Sequence, residues 1–566
     1  MTPLDWIVLA VTLISIITYG LYRSRGSNTV DRYLLAGKTM PWYAMALSIM
    51  ATQASAITFL STTGQSYVDG MRFVQFYFGL PIAMVVICAT VVPVFHRAKV
   101  YTAYEYLEQR FDSKTRALAS LIFLMQRGLS AGLTIYAPAI VLSVILNIPE
   151  RVTTTMMGAI VITYTVLGGI KAVTWSDVQQ MCVIFLGLVM SLITVFVLLP
   201  ESVSIGDAVY LAGAAGRLNA VTTRFDWADR FNIWGGLLGG TFLFLSYFGC
   251  DQSQVQRYLT GKSIAQSRLG LIFNAVAKIP MQFFILFIGA MVFVFYLFVQ
   301  PPVLFRPNEL RRVQGSPDFA VVESEYNRAF EHRKQAALSA AEARRAGDRS
   351  AEDRAIGEYR AAQKEVDSSR RAAFQLVEST GGEKGFNDTN YIFLSFVTRY
   401  LPVGIVGLVI AVIFAATMSA SSGEINSLAT VTVIDVYKRY IKQGATDHHY
   451  LWASRFATLF WGAYCVVFAN FAGGLGSLIE AVNFVGSLFY GTLLGCFVLA
   501  LGFRRVGGTA CFLGMLVGEA AILATWWFTN MAWLWYNVIG AVVVVLTALA
   551  ISAFSSESTS TTPDMR

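Results

Sequence analysis

The sequence predicts an all-α multi-pass membrane protein of about thirteen transmembrane helices, ten of them forming a five-plus-five inverted repeat. Three observations carry this. Hydrophobic residues make up 55% of the 566 and charged residues only 14%, with a mean hydropathy of +0.56, a balance typical of membrane proteins. Thirteen apolar runs are long enough to span. Two of these, at corresponding places in the two halves, are interrupted by polar residues.

The runs fall at 5–22, 42–66, 73–95, 117–146, 153–168, 177–199, 233–256, 270–299, 402–436, 451–471, 480–502, 508–528 and 533–553. The first lacks a small-residue cleavage site and reads as a retained helix, not a signal peptide. Basic residues follow each odd-numbered run. They are Arg23, Arg25, Arg32 and Lys38; then Arg97, Lys99, Arg110, Lys114 and Arg116; then Lys171; Arg257, Lys262 and Arg268; Lys438, Arg439 and Lys442; and Arg504 and Arg505. Positive charge gathers on the cytoplasmic side, so the N-terminus is expected outside a cell membrane and the short C-terminal tail in the cytoplasm. Spans two to six and seven to eleven are two sets of five. Five is odd, so the second set enters the bilayer upside down relative to the first. One helix precedes the repeats and two follow them.

Residues 306–388 depart from this pattern, with 15 Lys/Arg, 15 Asp/Glu and Ala-rich runs. They read as a soluble helical insertion on the extracytoplasmic side, with a turn near Gly347 and Asp348. They divide the chain into membrane parts 1–305 and 389–566. The insertion is either a solvated decoration or an element that docks a protein partner or shields the pathway.

Several function classes are excluded. The net charge of +8 is spread over short loops rather than a nucleic-acid-binding stripe. Cys88, Cys182, Cys250, Cys465, Cys496 and Cys511 form no CxxC pair, so neither a disulfide framework nor a zinc site is implied. His96, His332, His448 and His449 fall in polar loops, away from where membrane redox chemistry would need them. Without a metal or nucleophile cluster, no enzyme and no organic cofactor is expected. About a dozen residues follow the last span, so the output kinase of a membrane sensor is not expected either.

The segment 414–437, FAATMSASSGEINSLATVTVIDVY, is apolar overall yet crowded with small hydroxyls. Ser419, Ser422 and Asn426 share one helix face. Such a face permits close helix packing or offers oxygens to a desolvated cation. The polar stretches ATQASAITFLSTTGQS (51–66) and LSYFGCDQSQ (245–254) break spans two and seven, where freed backbone carbonyls could hold an ion. Arg127, Asp177, Asp251, Lys278 and Glu424 are charges within spans, each costing at least about 2.5–3.5 kcal/mol to insert and each in need of a partner. Asp251 with Lys278 and Arg127 with Glu424 are the expected pairs.

Six segments resemble the sodium:solute symporter family: 31–67, YTAYEYLEQRF (101–111), IYAPAIVL (135–142), LGGIKAVTWSDVQQ (167–180), DQSQVQRYLTGKS (251–263) and 414–440. YEYLEQRF, IYAPA and QSQVQRY are most similar to its monocarboxylate, vitamin and iodide branch. The resemblance implies a LeuT-type core working by alternating access. It implies a sodium site built from carbonyls of Ala51, Ala54 and Ala416 and from positions 419 and 420. Ser419 keeps its hydroxyl, but Ala420 stands where the family has Ser or Thr, and Ser421 points about 100° away on a regular helix. A second sodium site of some members matches Asp177, Ser419, Ser422 and Gly423, the last without a hydroxyl. Tyr247, Lys278 and Asn483 match substrate contacts of sugar carriers, yet Tyr77, Leu80 and Phe244 replace the groups that hold the sugar. Gln53, Thr58, Gln75 and Asp251 complete the candidate substrate contacts.

The function expected is sodium-coupled symport of a small organic solute into the cell, with a monocarboxylate or other small anion favoured. Ala420 and a titrating Glu424 leave a proton-coupled or sodium-independent carrier open, as is a sugar or amino-acid symporter. The partners expected are sodium, the solute, bilayer lipid and an extracytoplasmic protein on 306–388.

Overall fold

A computed structural model describes residues 1–23, 29–382, 384–472 and 476–554. Arg25 and the tail after Phe554 lie outside the described residues. Among the described residues the regular elements are helices, with one isolated bridge between Met40 and Gly261.

After α1 (Pro3–Arg23), the second expected span is two helices, α2 (Trp42–Gln53) and α3 (Ala56–Asp69). The chain continues through α4 (Leu80–Ala89), α5 (Val91–Ala98), α6 (Ser113–Leu146) and α7 (Glu150–Val197). Span seven is likewise divided, into α8 (Gly240–Gly249) and α9 (Gln252–Leu259), and α10 (Ile264–Phe298) follows. The insertion is a helix pair, α11 (Pro317–Ala346) and α12 (Arg349–Ser379). Then come α13 (Thr389–Tyr400), α14 (Ile405–Val431), α15 (Asp447–Ala469), α16 (Leu478–Gly502), α17 (Gly508–Phe528) and α18 (Leu534–Phe554).

Ten helices among the described residues are long and apolar enough to cross a membrane. Of the thirteen expected spans, 42–66 and 233–256 fall short because each is broken mid-way. The third, 153–168, is the first arm of α7. Drawn straight, the 48 residues of α7 would reach ~72 Å. Instead Glu150 at its start accepts from Tyr391 of α13 at 2.7 Å, and a Cβ at Gly187 would touch Val409 and Val412 in the first turns of α14. Glu150 and Gly187 are therefore closer together than a straight helix allows, so α7 bends between a first arm and a second.

The core wraps around α14, which is buried without a gap from Val409 to Val431. Small side chains let its neighbours close in. Against it lie α7, α6 and α1.

The insertion is docked rather than solvated. Gly347, at φ 73°, turns the chain, and Asp348 caps α12 by accepting from Ala351 N–H at 3.1 Å. Arg333 donates to the Tyr296 carbonyl at 2.7 Å, Arg360 to that of Ala214 at 2.8 Å and Arg344 to that of Gly206 at 2.9 Å. Ala336, Ala337, Ala340 and Tyr359 join the main apolar core. The ends meet: Phe305 N–H donates to Asp388 at 2.8 Å. A short Gly/Ser linker in place of 306–388 should therefore close without strain, because the span to bridge is small. We expect that variant to melt several degrees lower, since apolar surface is uncovered, while keeping sodium-driven uptake in liposomes. A folded variant without uptake would make the insertion part of the transport pathway.

Candidate functional site

The break between α2 and α3 lies at Ala54, whose φ of −98° and ψ of 53° leave the helix. Thr58 holds it open by donating its hydroxyl to the Gln53 carbonyl at 2.7 Å. The last carbonyls of α2, Ala51 and Ala54 among them, thus sit at a helix end, where the ladder cannot satisfy them all. The matching break in span seven is capped by Asp251, which accepts from Ser253 N–H at 2.8 Å.

One carboxylate ties this break to α14. Asp177, on the second arm of α7, accepts from Ser48 of α2 at 2.5 Å and from Ser419 of α14. Asp177 therefore links Ser419 to Ser48, three residues before Ala51. Ser422 donates to the Ser419 carbonyl at 3.1 Å instead of reaching Asp177. The charge partner of Asp177 is Arg257 of α9, at 2.8 Å, and both are buried. A Cβ at Gly423 would strike this guanidinium, so the missing hydroxyl at 423 is the space that Arg257 fills.

A second charge cluster spans three segments. Arg127 of α6 pairs with Glu424 at 3.0 Å and with Asp251. Tyr490 of α16 accepts from Arg127 at 2.7 Å and donates to Asp251 at 3.0 Å. The expected Arg127–Glu424 pair is present. The expected Asp251–Lys278 pair is not, because the cap turn of α9 aims Asp251 at Arg127. Lys278 of α10 is fully buried and donates to the Gln53 carbonyl at 3.3 Å, 5.6 Å from the Tyr77 ring centre. Among the described residues it has no carboxylate partner within 4.0 Å.

Between these clusters lies a cavity of about 90 Å³. Gln53, Thr58, Arg127, Tyr247, Ala420, Glu424 and Asn483 all line it, as do Phe76, Tyr77, Phe244 and Tyr490. Asp251 and Lys278 stand directly behind its wall through Tyr490 and Gln53. Gln75 is elsewhere: it accepts from Thr222 N–H at 2.8 Å and donates to the Phe231 carbonyl at 2.9 Å. Phe244 and Tyr77 make an apolar face, with rings 5.8 Å apart, where a sugar would need hydrogen-bonding groups.

The sequence model of the sodium:solute symporter family matches residues 33–324 and 374–518. The chain belongs to the sodium:solute symporter family. It is a multi-pass membrane protein, and sodium-coupled symport is the function this membership carries. It is 28% identical over 523 residues to a putative sodium-dependent multivitamin transporter of Drosophila melanogaster, covering 91% of this chain and 73% of that one. It is 26% identical to the sodium-coupled monocarboxylate transporter 1 of Homo sapiens, covering 92% and 72%. The fold is that of a Na+-coupled sialic acid symporter in its substrate-bound outward-open state, with a TM-score of 0.75, 24% identity and 98% of each chain covered. These relatives are transporters.

Reasoning from this symporter's sequence missed three residues. Arg257 sits in the family-like QSQVQRY stretch but reads there as a loop charge. Tyr490 and Ser48 carry no signal at all, being an ordinary aromatic and an ordinary serine in apolar runs.

Proposed function

We propose that this symporter carries a short organic monocarboxylate into the cell together with one sodium ion. The observation that supports the solute class is Lys278: a buried ammonium beside the cavity, unmatched by any described carboxylate. A solute carboxylate would supply the missing charge. Arg127 does not serve this role, since Asp251 and Glu424 already flank it. The small cavity and its aromatic wall suit a compact body with one charged end.

In this reading the carbonyls of Ala51, Ala54 and Ala416 and the hydroxyl of Ser419 hold sodium, which favours the outward-open state and completes the pocket. Positive charge on the opposite face from the insertion supports an orientation with the N-terminus and the insertion outside and the C-terminus in the cytoplasm. Lipid surrounds the spans, and an extracytoplasmic protein would meet the charged faces that α11 and α12 leave exposed. Asn426, buried and with a side-chain amide that has no hydrogen-bond partner among the described residues, marks a polar inward path for the ion.

Ser419→Ala should weaken the sodium response of uptake about 10-fold or more, because one charge-assisted ligand is worth about 1.5–3 kcal/mol. Sodium titration of uptake in proteoliposomes reads this, and an unchanged titration rejects the site. Ala420→Ser should shift the same titration to lower sodium.

The pairing of Asp177 with Arg257 favours a single sodium: a fixed cation stands where the second would bind. One sodium with one monocarboxylate carries no net charge. A tenfold sodium gradient then supplies about 1.4 kcal/mol, or tenfold accumulation, and membrane potential adds nothing. Initial uptake by the native chain should be the same with and without an inside-negative diffusion potential. In Arg257→Gln, Asp177 is freed for a second sodium, and uptake should become potential-dependent. Potential-dependent uptake of a monocarboxylate by the native chain would overturn the one-sodium reading.

A further inference from the structure

We propose that the seam between the insertion and the transport core is a binding site for a small organic anion, a carboxylate with a short apolar body. A cavity of about 300 Å³ lies there, within the range of small-ligand pockets. Arg333, Arg370 and Arg371 of the insertion line it together with Arg217 of the core, and Asp367 is the one carboxylate on its wall. Asp388 accepts from Nη2 of Arg370 with both its oxygens, at 2.8 and 2.7 Å. With Asp367 offsetting a second guanidinium, two positive charges remain in excess around the cavity.

The donors there are incompletely used. Arg333 is 1% exposed and spends two of its nitrogens on the Tyr296 carbonyl and on Gln363, yet its Nε has no partner among the described residues. The same holds for Nε of Arg217. Arg371 is exposed and opens the site to water. A guanidinium N–H taken out of water is unfavourable until an acceptor reaches it, and a carboxylate supplies two oxygens. Tyr67, Phe293 and Phe374 give the wall an aromatic part, and Val68 and Val366 line it too. Arg217 lies 4.6 Å over Phe293 and Arg370 lies 5.2 Å over Phe374, so charged and apolar surfaces adjoin. An inorganic anion would use only the charged part.

This site is separate from the central cavity and does not rest on the solute proposed there. Residues 325–373 fall outside the family match, so Arg333, Asp367, Arg370 and Arg371 lie beyond what the family model describes. Tyr67 on its wall belongs to α3, the half-helix that leads away from the break. An anion here would clamp the insertion to that half-helix.

The test uses the full chain in detergent, with labelled butyrate as probe, gluconate as background anion, no sodium, and the Lys278→Gln change to silence the central cavity. Equilibrium dialysis should show one butyrate per chain, displaced by other short carboxylates and not by butyramide. Arg217→Gln with Arg371→Gln should weaken binding at least tenfold, and the linker variant lacking 306–388 should lose it. If the double variant fails to fold, the exposed Arg371→Gln alone should still weaken binding several-fold. Binding untouched by the arginine changes, or phosphate binding with butyrate excluded, would overturn the proposal. If Lys278→Gln leaves butyrate uptake intact, the central-site reading fails while this binding stands or falls by the arginines.

Discussion

Replacing Arg127 by alanine should destabilise the protein by about 3–5 kcal/mol, the largest single effect expected here, because Asp251 and Glu424 would be left buried without their counter-charge. Asp251 is 0% exposed and Glu424 only 5%, so both are largely shielded from water. Tyr490 would keep its bond to Asp251, but a phenol does not cancel a charge. Thermal unfolding in detergent should show a large drop, with uptake lost. The combination Arg127→Ala, Asp251→Asn and Glu424→Gln should recover much of that drop, since it removes the orphaned charges instead of restoring the pair. If the single variant melts like the native chain, the three groups do not form a buried network.

Lys278→Gln should behave in the opposite way. This ammonium has no described carboxylate partner, so its removal strands no charge, and the variant should melt no lower than the native chain. Uptake of a short carboxylate should nevertheless fall about 10- to 150-fold, which is 1.5–3 kcal/mol of lost charge-assisted binding. Sodium binding, measured by protection against unfolding, should persist because Lys278 reaches the break only through the Gln53 carbonyl. Full carboxylate uptake by a folded Lys278→Gln carrier would remove the basis for an anionic solute.

Much of the fold was legible in the sequence because the bilayer imposes it. A span must be a closed run of apolar residues with its hydrogen bonds satisfied internally, so hydropathy alone marked thirteen runs, ten of which match helices long and apolar enough to cross among the described residues. The two interrupted spans were legible for the same reason: ATQASAITF and YFGCDQSQ place polar residues where an unbroken apolar helix would not. The structure breaks the chain inside both, at Ala54 and Asp251.

Partner choice was a different matter. Arg127, Asp177, Asp251, Lys278 and Glu424 were all legible as costly buried charges, since that cost depends on each residue's own position in its span. Which of them meet depends on helix rotation and on the local turn at each break, and these are set by packing among distant segments, with Arg127 and Glu424 297 residues apart. The cap turn at Asp251 sends its carboxylate to Arg127 and leaves Lys278 without a counter-ion. Gly423, which reads in sequence as a lost ligand, becomes room for Arg257 once α9 packs against α14. Sequence by itself therefore determined which residues must be satisfied inside the membrane. Only the tertiary structure decided by whom, because a pairing is a property of two helices in contact and of neither alone.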